Sequence, residues 1–238
     1  MLTIENLRIK LFADGADIAG MLAMNSKPYI QGLTTNPTLM RRAGIRNYKE
    51  FAHEVLTQIT QKPVSFEVFS DDLEEMKRQG LEIAGWGNNV YVKIPITNTS
   101  GTSTVPVISH LVDQGVKVNV TAIMTIEQVK TVAQVLSQST PSYVSVFAGR
   151  IADTGRNPEP IMIQALSILS QLPKAELIWA SPRELLNVFQ ADEIGCHVIT
   201  ATNDILMKLD LIGKDLESYS LETVKMFFED AKNSSFEL

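Results

Sequence analysis

The sequence predicts an α/β protein, a single (β/α)8 TIM barrel with a C-terminal helix. Two observations lead to this prediction. Short β-branched segments recur at regular intervals, and segments with apolar residues at helical spacing lie between most of them. Strand–helix alternation repeated eight times is typical of a closed parallel barrel, and 238 residues are at the short end of that fold's range.

Eight segments carry the β-rich composition of strands. In chain order they are RIKLFA (8–13), GLTTN (32–36), VSFEVF (64–69), NVYVKIP (89–95), KVNVTAI (117–123), YVSVFAG (143–149), ELIWAS (176–181) and HVITAT (197–202). A doubly wound open sheet is the alternative arrangement. Against it, ADGADIAG after the first strand lacks the glycine spacing of a dinucleotide-binding turn.

Five segments between the strands have apolar residues at helical spacing, and they cover residues 50–59, 71–85, 125–138, 161–171 and 182–195. In the last of these Pro182 is expected in the first helical turn, where proline is tolerated. No break is long enough to be an interdomain linker, so one domain over residues 1–238 is expected. Residues 216–238 are predicted to form a helical extension, which either packs on a neighbouring subunit or docks on its own barrel.

Composition and charge restrict the class of protein. The chain is 45% hydrophobic and carries a net charge of −6, which argues against nucleic acid as a partner. The single cysteine, Cys196, cannot form an internal disulfide, which fits a reducing compartment. The first residues lack the features of a signal peptide, and no apolar run is long enough to span a bilayer. We therefore expect a soluble cytoplasmic protein without a membrane partner.

Side-chain alternation separates the residues that face the helices from those that face the barrel interior. In the fourth strand Val90, Val92 and Ile94 share the helix-facing side, which leaves Lys93 inside. The same rule places Trp179 inside with Ser181. The polar residues assigned to the interior, mostly near the carboxyl ends of their strands, are Asp14, Asn36, Glu67, Lys93, Asn119, Thr121, Ser145 and Ser181. Barrel enzymes build their active sites at that end, and burying so many polar groups for structure alone is costly.

Lys93 is the unusual member of this set because it interrupts an apolar, β-branched run. Removing an ε-amine from water favours its neutral, nucleophilic form, which can add to a ketone and lose water to give a Schiff base. Such a reaction also needs proton-handling groups, and Asp14 and Glu67 could divide that work. The alternative is a structural lysine held in a salt bridge.

No metal site or cofactor is expected from the sequence. The three histidines, His53, His110 and His197, have no ligand spacing. Cys196 is expected to be a small buried apolar residue, since no set of partner residues surrounds a nucleophile.

Several motifs together resemble those of the transaldolases. They are GLTTNPTLM (32–40), VKIP (92–95), the Asn119–Thr121 pair in VNVTAIM, SVFAGRIAD (145–153) and the Ser181–Arg183 pair in ASPR. They resemble more closely the short branch that includes the bacterial fructose-6-phosphate aldolases. The matches run in order from Asp14 to about residue 203, and TTNP combined with VKIP at this separation is specific.

The resemblance implies a class I aldolase mechanism on a (β/α)8 barrel. Lys93 matches the lysine that forms the Schiff base with a ketose phosphate, and Asp14 matches the group that takes the hydroxyl proton during retro-aldol cleavage. Glu67 and Thr121 match the pair that positions a catalytic water. The residues implied to bind the dihydroxyacetone end are Asn36, Asn119 and Ser145, and those implied to bind the phosphate are Arg150, Ser181 and Arg183. Arginines suit phosphate because the guanidinium binds two oxygens at once.

The resemblance also implies a choice between two activities. Fructose-6-phosphate aldolases carry glutamine where this chain has Glu67 and tyrosine where it has Phe147, so the combination here is that of transaldolases. We therefore expect transfer of a dihydroxyacetone unit from a ketose phosphate to an aldose phosphate, in the pentose phosphate pathway or related sugar metabolism. The alternatives are reversible aldol cleavage and a non-catalytic barrel that binds sugar phosphates.

The chain departs from the family pattern at Pro182, where transaldolases usually have phenylalanine, and this change could shift Arg183.

The C-terminal segment carries more apolar residues than a solvated tail should expose. In the short branch the corresponding helix packs on a neighbouring subunit, so the resemblance implies a homo-oligomer.

Overall fold

The computed structural model describes residues 3–234, and in it eight parallel strands close into one barrel. Each strand pairs with the next in sequence, and β8 closes the barrel by pairing with β1. The strands are β1 (Lys10–Asp14), β2 (Ile30–Thr34), β3 (Val64–Glu67), β4 (Val90–Pro95), β5 (Val118–Ile123), β6 (Ser142–Val146), β7 (Ala175–Ala180) and β8 (Val198–Thr202). The predicted barrel and its eight strands are confirmed.

Helices surround the barrel. They are α1 (Ile18–Asn25), α2 (Pro37–Arg42), α3 (Tyr48–Gln58), α4 (Leu73–Ala84), α5 (Val105–Asp113), α6 (Ile126–Ala133), α7 (Ala148–Ala152), α8 (Glu159–Leu169), α9 (Leu186–Glu193), α10 (Asn203–Leu206) and α11 (Leu216–Asn233). Two short 3-10 helices cover Ile4–Asn6 and Met207–Leu211. Within residues 3–234 no helix is both long and apolar enough to cross a bilayer.

Local sequence explains where several helices begin. Asp17, Asn36, Asn47 and Asp72 each accept a hydrogen bond from the backbone N–H three residues later, which satisfies a donor that the first helical turn leaves free. The start of α6 has a complete capping box, in which Thr125 and Gln128 satisfy each other's backbone N–H groups. The chain therefore turns from strand to helix at defined residues.

The apolar core has two parts. The larger lies between the barrel and the helices, and the smaller fills the barrel interior with Phe12, Tyr91, Tyr143, Ile178, Ala180 and Val198. The rings of Tyr91 and Tyr143 have centroids 4.3 Å apart, and Phe12 meets Tyr143 edge-on at 5.6 Å. A Cβ on Gly32 would lie 2.4 Å from Cζ of Phe12, so glycine allows the ring to fit. Aromatic packing therefore fills the interior near the amino ends of the strands.

Two expectations for the seventh strand and its helix are wrong. Trp179 is buried between barrel and helices, whereas Ile178 and Ala180 face the interior. Helix α9 begins at Leu186, so Pro182 lies in the loop before the helix rather than in its first turn. The predicted C-terminal helix is present as α11, and residues 235–238 of that prediction lie outside the described residues.

Candidate active site

A cavity of about 660 Å³ opens at the carboxyl ends of the barrel strands. Its lining includes every residue that the sequence suggested for a site, namely Asp14, Asn36, Glu67, Lys93, Asn119, Thr121, Ser145, Phe147, Arg150, Ser181 and Arg183. These residues come from seven strands, from the loops that follow them or, for Arg150, from helix α7. This is the end of a (β/α)8 barrel at which catalytic residues are found.

Lys93 lies near the end of β4, between its register partners Glu67 on β3 and Asn119 on β5. The residue is only 7% exposed. Its Nζ lies 3.1 Å from Oε2 of Glu67 and donates a hydrogen bond to the backbone oxygen of Thr35 at 3.0 Å. The salt bridge considered as a structural alternative is therefore present, and it lies inside the cavity.

Asp14 ends β1 on another side of the cavity. Its Oδ1 accepts a hydrogen bond from Oγ1 of Thr34 at 2.8 Å, and its Oδ2 accepts one from Nδ2 of Asn36 at 3.1 Å. Burial raises the pKa of Asp14, while the positive charge of Lys93 and the two hydrogen bonds act in the opposite direction. Such a carboxyl group retains protons more readily than an ordinary aspartate, which suits an acid/base.

Asn36 fixes this arrangement from both ends of its amide. Oδ1 of Asn36 caps α2 by accepting from the backbone N–H of Leu39 at 2.9 Å, which directs Nδ2 toward Asp14. The helix cap therefore fixes the orientation of the Asn36 side-chain amide at the cavity.

Asn119 and Ser145 are held by a buried chain of hydrogen bonds. Oγ of Ser145 donates to Oδ1 of Asn119 at 2.7 Å, and Nδ2 of Asn119 donates to Oγ of Ser65 at 3.0 Å. Both amide ends of Asn119 are thereby assigned, and one N–H of Nδ2 is left for a molecule in the cavity.

Thr121 differs from these residues because its Oγ1 is buried without a hydrogen-bond partner among residues 3–234. The following residue, Ala122, has a φ of +61°, and the pairing of β5 with β6 is irregular between Val120 and Ile123. Such a local distortion costs energy and is common next to active sites. Thr121 is among the residues that line the cavity, so this unpartnered hydroxyl lies at the cavity wall.

The opposite side of the cavity is cationic. Nη1 of Arg183 donates to Oγ of Ser181 at 2.9 Å, and its Nε donates to Oδ1 of Asp153 at 2.8 Å. Arg150 on α7 lies with its Cζ 5.8 Å from the centroid of the Phe147 ring. Pro182 does not displace Arg183 from the cavity, since both residues line it.

Sequence reasoning missed several lining residues, and those with polar side chains include Thr38, Arg42, Thr200, Thr202 and Asp204. Thr202 ends β8 and Asp204 follows it, so the position of that strand end was the signal that could have found them. Arg42 is in the last turn of α2, where strand alternation gives no information. Residues 3–234 contain no cluster of three side chains suited to hold a metal ion.

Comparison with known proteins gives a consistent result. The family model described as Transaldolase/Fructose-6-phosphate aldolase matches residues 11–238. A curated protein named "Probable transaldolase" from Thermoanaerobacter sp. (strain X514) is 35% identical over 202 residues, covering 84% of this chain and 89% of its own length. Another of that name from Desulforamulus reducens is 31% identical over 220 residues, covering 91% and 97%.

A solved structure has the same fold at low sequence identity. The chain superposes on a protein from Burkholderia cenocepacia J2315, named for phosphonomutase activity, with a TM-score of 0.58 at 11% identity. The superposition covers 93% of this chain and 94% of that one. This likeness concerns the barrel alone.

Proposed function

Because the chain belongs to the transaldolase/fructose-6-phosphate aldolase family, we propose that it transfers a dihydroxyacetone unit from a ketose phosphate to an aldose phosphate. The donor is a sugar such as fructose 6-phosphate or sedoheptulose 7-phosphate, and the covalent intermediate is a Schiff base on Lys93. The observation that carries the proposal is a buried lysine in the barrel mouth with one carboxylate 3.1 Å away and a second, Asp14, across the cavity.

The first step forms the imine. Nζ of Lys93 must be neutral to attack the ketone carbon, and Glu67 is close enough to accept its proton. The resulting carbinolamine loses water to give an iminium ion. Glu67 and the unpartnered hydroxyl of Thr121 hold the water that moves protons in this step.

The second step breaks the bond between carbons 3 and 4 of the sugar. Asp14 takes the proton of the hydroxyl on carbon 4, the aldehyde leaves, and the bonding electrons pass to the iminium, which becomes an enamine. Asn36, Asn119 and Ser145 bind the hydroxyl groups of the three-carbon unit that stays on Lys93. The enamine then attacks the acceptor aldehyde, Asp14 returns its proton to the new hydroxyl, and hydrolysis of the imine releases the product.

The phosphate binds at Arg150, Ser181 and Arg183. These two arginines supply local positive charge in a chain whose net charge is −6. The proposal for the whole protein is a homo-oligomeric cytoplasmic enzyme, with α11 as the surface that contacts a second copy.

Reductive trapping tests the central claim. Borohydride added in the presence of fructose 6-phosphate should label Lys93 irreversibly, as found by peptide mass spectrometry. Lys93→Arg keeps a cation beside Glu67 but should abolish labelling, whereas Lys49→Arg on the outer helix α3 should leave it unchanged. A wild-type protein left unlabelled at Lys93 would falsify the Schiff-base mechanism.

Two alternatives are distinguished by simple assays. Turnover of the ketose phosphate without an aldehyde acceptor would favour aldol cleavage, whereas dependence on the acceptor would favour transfer. The pair Glu67 and Phe147, which matches the transaldolase pattern, supports transfer. Binding of the sugar phosphate without trapping or turnover would indicate a non-catalytic barrel.

A further inference from the structure

The carboxylate of Asp153 lies beside the cationic side of the cavity, and no step of the proposed mechanism uses it. Asp153 follows α7 directly and lies 30 residues before Arg183 in the sequence. Its Oδ1 accepts from Nε of Arg183 at 2.8 Å, and its Oδ2 accepts from Nη2 of the same guanidinium. The result is a two-point ion pair between two loops.

This pair leaves a defined part of the guanidinium free. Arginine has five N–H groups in one plane. Asp153 takes the one on Nε and one on Nη2, and Ser181 takes one on Nη1. One N–H on Nη1 and one on Nη2 remain. These two N–H groups can bind phosphate oxygens.

Stability does not account for the ion pair. The side chains of Arg183 and Asp153 are 44% and 52% exposed, and pairs so open to water contribute little to folding. The carboxylate also opposes the binding of an anion nearby. Orientation is the remaining benefit, since a long arginine side chain that is fixed before binding loses less freedom when the ligand arrives.

Close backbone packing supports the same interpretation. A Cβ on Gly149 would lie 1.6 Å from the backbone oxygen of Ser181 and 3.5 Å from Cζ of Arg183. Helix α7, which carries Arg150 and leads into Asp153, is therefore packed directly on the segment that carries Ser181 and Arg183. Arg183 lowers the pKa of Asp153 through their hydrogen bonds, and the charge of Arg150 lowers it further, so the carboxylate stays ionised.

We propose that Asp153 is a positioning residue for phosphate recognition. It holds the guanidinium of Arg183 by the Nε and Nη2 edge so that the remaining N–H groups face the phosphate of the substrate. This inference rests on the proposed function, because it assumes that the cationic side of the cavity binds the phosphate of a sugar.

The test compares Asp153→Asn and Asp153→Ala with the wild type on phosphorylated and non-phosphorylated ketoses. We expect the KM for fructose 6-phosphate and the inhibition constant for inorganic phosphate to rise about tenfold, because Arg183 must be ordered during binding. The kcat should change much less, and the KM for fructose should not change. Asp153→Asn keeps the shape of the side chain and so covers the case in which Asp153→Ala folds poorly.

Glu75→Gln is a matched control. Glu75 on α4 accepts from Nε of Arg78 at 2.8 Å and from Nη2 at 2.6 Å, which is the same two-point geometry away from the cavity. This variant should leave all constants unchanged. Unchanged phosphate inhibition in Asp153→Ala would overturn the inference, because the carboxylate would then have no effect on phosphate binding. Tighter inhibition would overturn it as well, because the carboxylate would then compete with phosphate for Arg183.

The proposed function can fail separately. Borohydride trapping of dihydroxyacetone on Lys93 involves no phosphate and reports the imine chemistry alone. Calorimetric titration with inorganic phosphate requires no turnover and reports the positioning by Asp153 alone.

Discussion

Asp14 is subject to opposing influences that make it sensitive to pH. Burial raises its pKa, while Lys93 and hydrogen bonds from Thr34 and Asn36 favour the ionised form, and burial is the larger influence. Within the proposed mechanism Asp14 must be ionised to take the substrate proton. The rate of cleavage should therefore fall, as pH decreases, at a pH above the ordinary range of an aspartate.

The substitution Asp14→Asn should lower the activity of the enzyme but raise the stability of the fold. Because the pKa of Asp14 is raised on folding, the folded protein holds this proton at pH values where the unfolded chain has released it. Asp14 therefore stabilises the folded state at low pH, and this stabilisation is lost as the pH rises through the pKa that Asp14 has in the folded protein. We expect the variant to lose about 100-fold or more in turnover. It should also resist urea better than the wild type at neutral pH.

Urea unfolding and cleavage rates measured across a pH series check both parts. The stability difference should shrink as the pH is lowered, because Asp14 becomes protonated in both states. A variant that is less stable than the wild type at neutral pH would contradict the assignment of Asp14 as a buried group held against its preference.

Thr121 gives a second prediction at the level of one atom. Its Oγ1 is buried without a partner among the described residues, so removing the hydroxyl costs no hydrogen bond. Thr121→Val should leave the free energy of unfolding within about 0.5 kcal/mol of the wild type or raise it. The rate of imine formation should fall by about 10- to 100-fold, because the water proposed to move protons loses a contact.

Thr104→Val is the informative comparison for Thr121. Oγ1 of Thr104 donates to the backbone oxygen of Pro95, so this equally small change should cost about 1 kcal/mol in unfolding free energy. Its effect on imine formation should be small, since Thr104 does not line the cavity. Equal losses of activity in the two variants would remove the special role of Thr121.

Among the elements, α7 and the loop after β7 behave as one unit. Gly149 allows their contact, because any Cβ there would overlap the backbone oxygen of Ser181. Ser181 has a φ of +61°, a conformation that non-glycine residues adopt at some energetic cost. The shape of the cationic side of the cavity therefore depends on backbone packing as well as on the arginines.

Gly149→Ala should disturb this unit. The clash is with backbone, so the loop must move, and we expect a loss of about 2 kcal/mol in unfolding free energy. Inhibition by inorganic phosphate, measured well below the melting temperature, should weaken several-fold or more. Gly85→Ala is the control, since its Cβ would be 3.4 Å from the nearest atom at the end of α4. Wild-type phosphate inhibition in Gly149→Ala would show that the contact is not needed for the site.

The same elements mark the limit of prediction from sequence. In β3, β4 and β5 polar residues alternate with apolar ones, so the inward side chains can be assigned. Residues 177–180 are all apolar and have no such alternation, which explains why the predicted inward position of Trp179 is wrong. The positive φ of Ser181 then turns the chain, and its hydroxyl meets Arg183 at the cavity.

Contacts between distant loops were also beyond the sequence pattern. The ion pair of Asp153 with Arg183 joins two loops, and neither loop has a strand register that predicts the contact. Arg42 reaches the cavity from a helix whose orientation depends on packing. The fold and the strand-borne site residues follow from local patterns, whereas these contacts follow from how the elements assemble.

For the whole molecule, the exposed apolar residues of α11 have no packing partner in the apolar core that residues 3–234 of a single chain form. Leu221, Val224 and Phe228 are each more than half exposed, and at 100° per residue they lie within 60° of one another on the helix. Apolar stripes of this kind are typical of contact surfaces between proteins. The barrel forms no large interface with α11, since every described residue of the helix is at least partly exposed.

We therefore expect the wild-type protein to sediment as an oligomer through the apolar stripe of α11. The double substitution Leu221→Lys and Phe228→Lys places two charges in that stripe, where burial against another copy would cost too much, so the oligomer should dissociate. Asp230→Lys adds a charge on the opposite side of the helix and should leave the mass unchanged. Because neither change touches the barrel core, both variants should keep the helical and β signals in circular dichroism. A wild-type mass equal to one chain at micromolar concentration would contradict the assignment, and helix α11 would then have to fold back on its own barrel in solution.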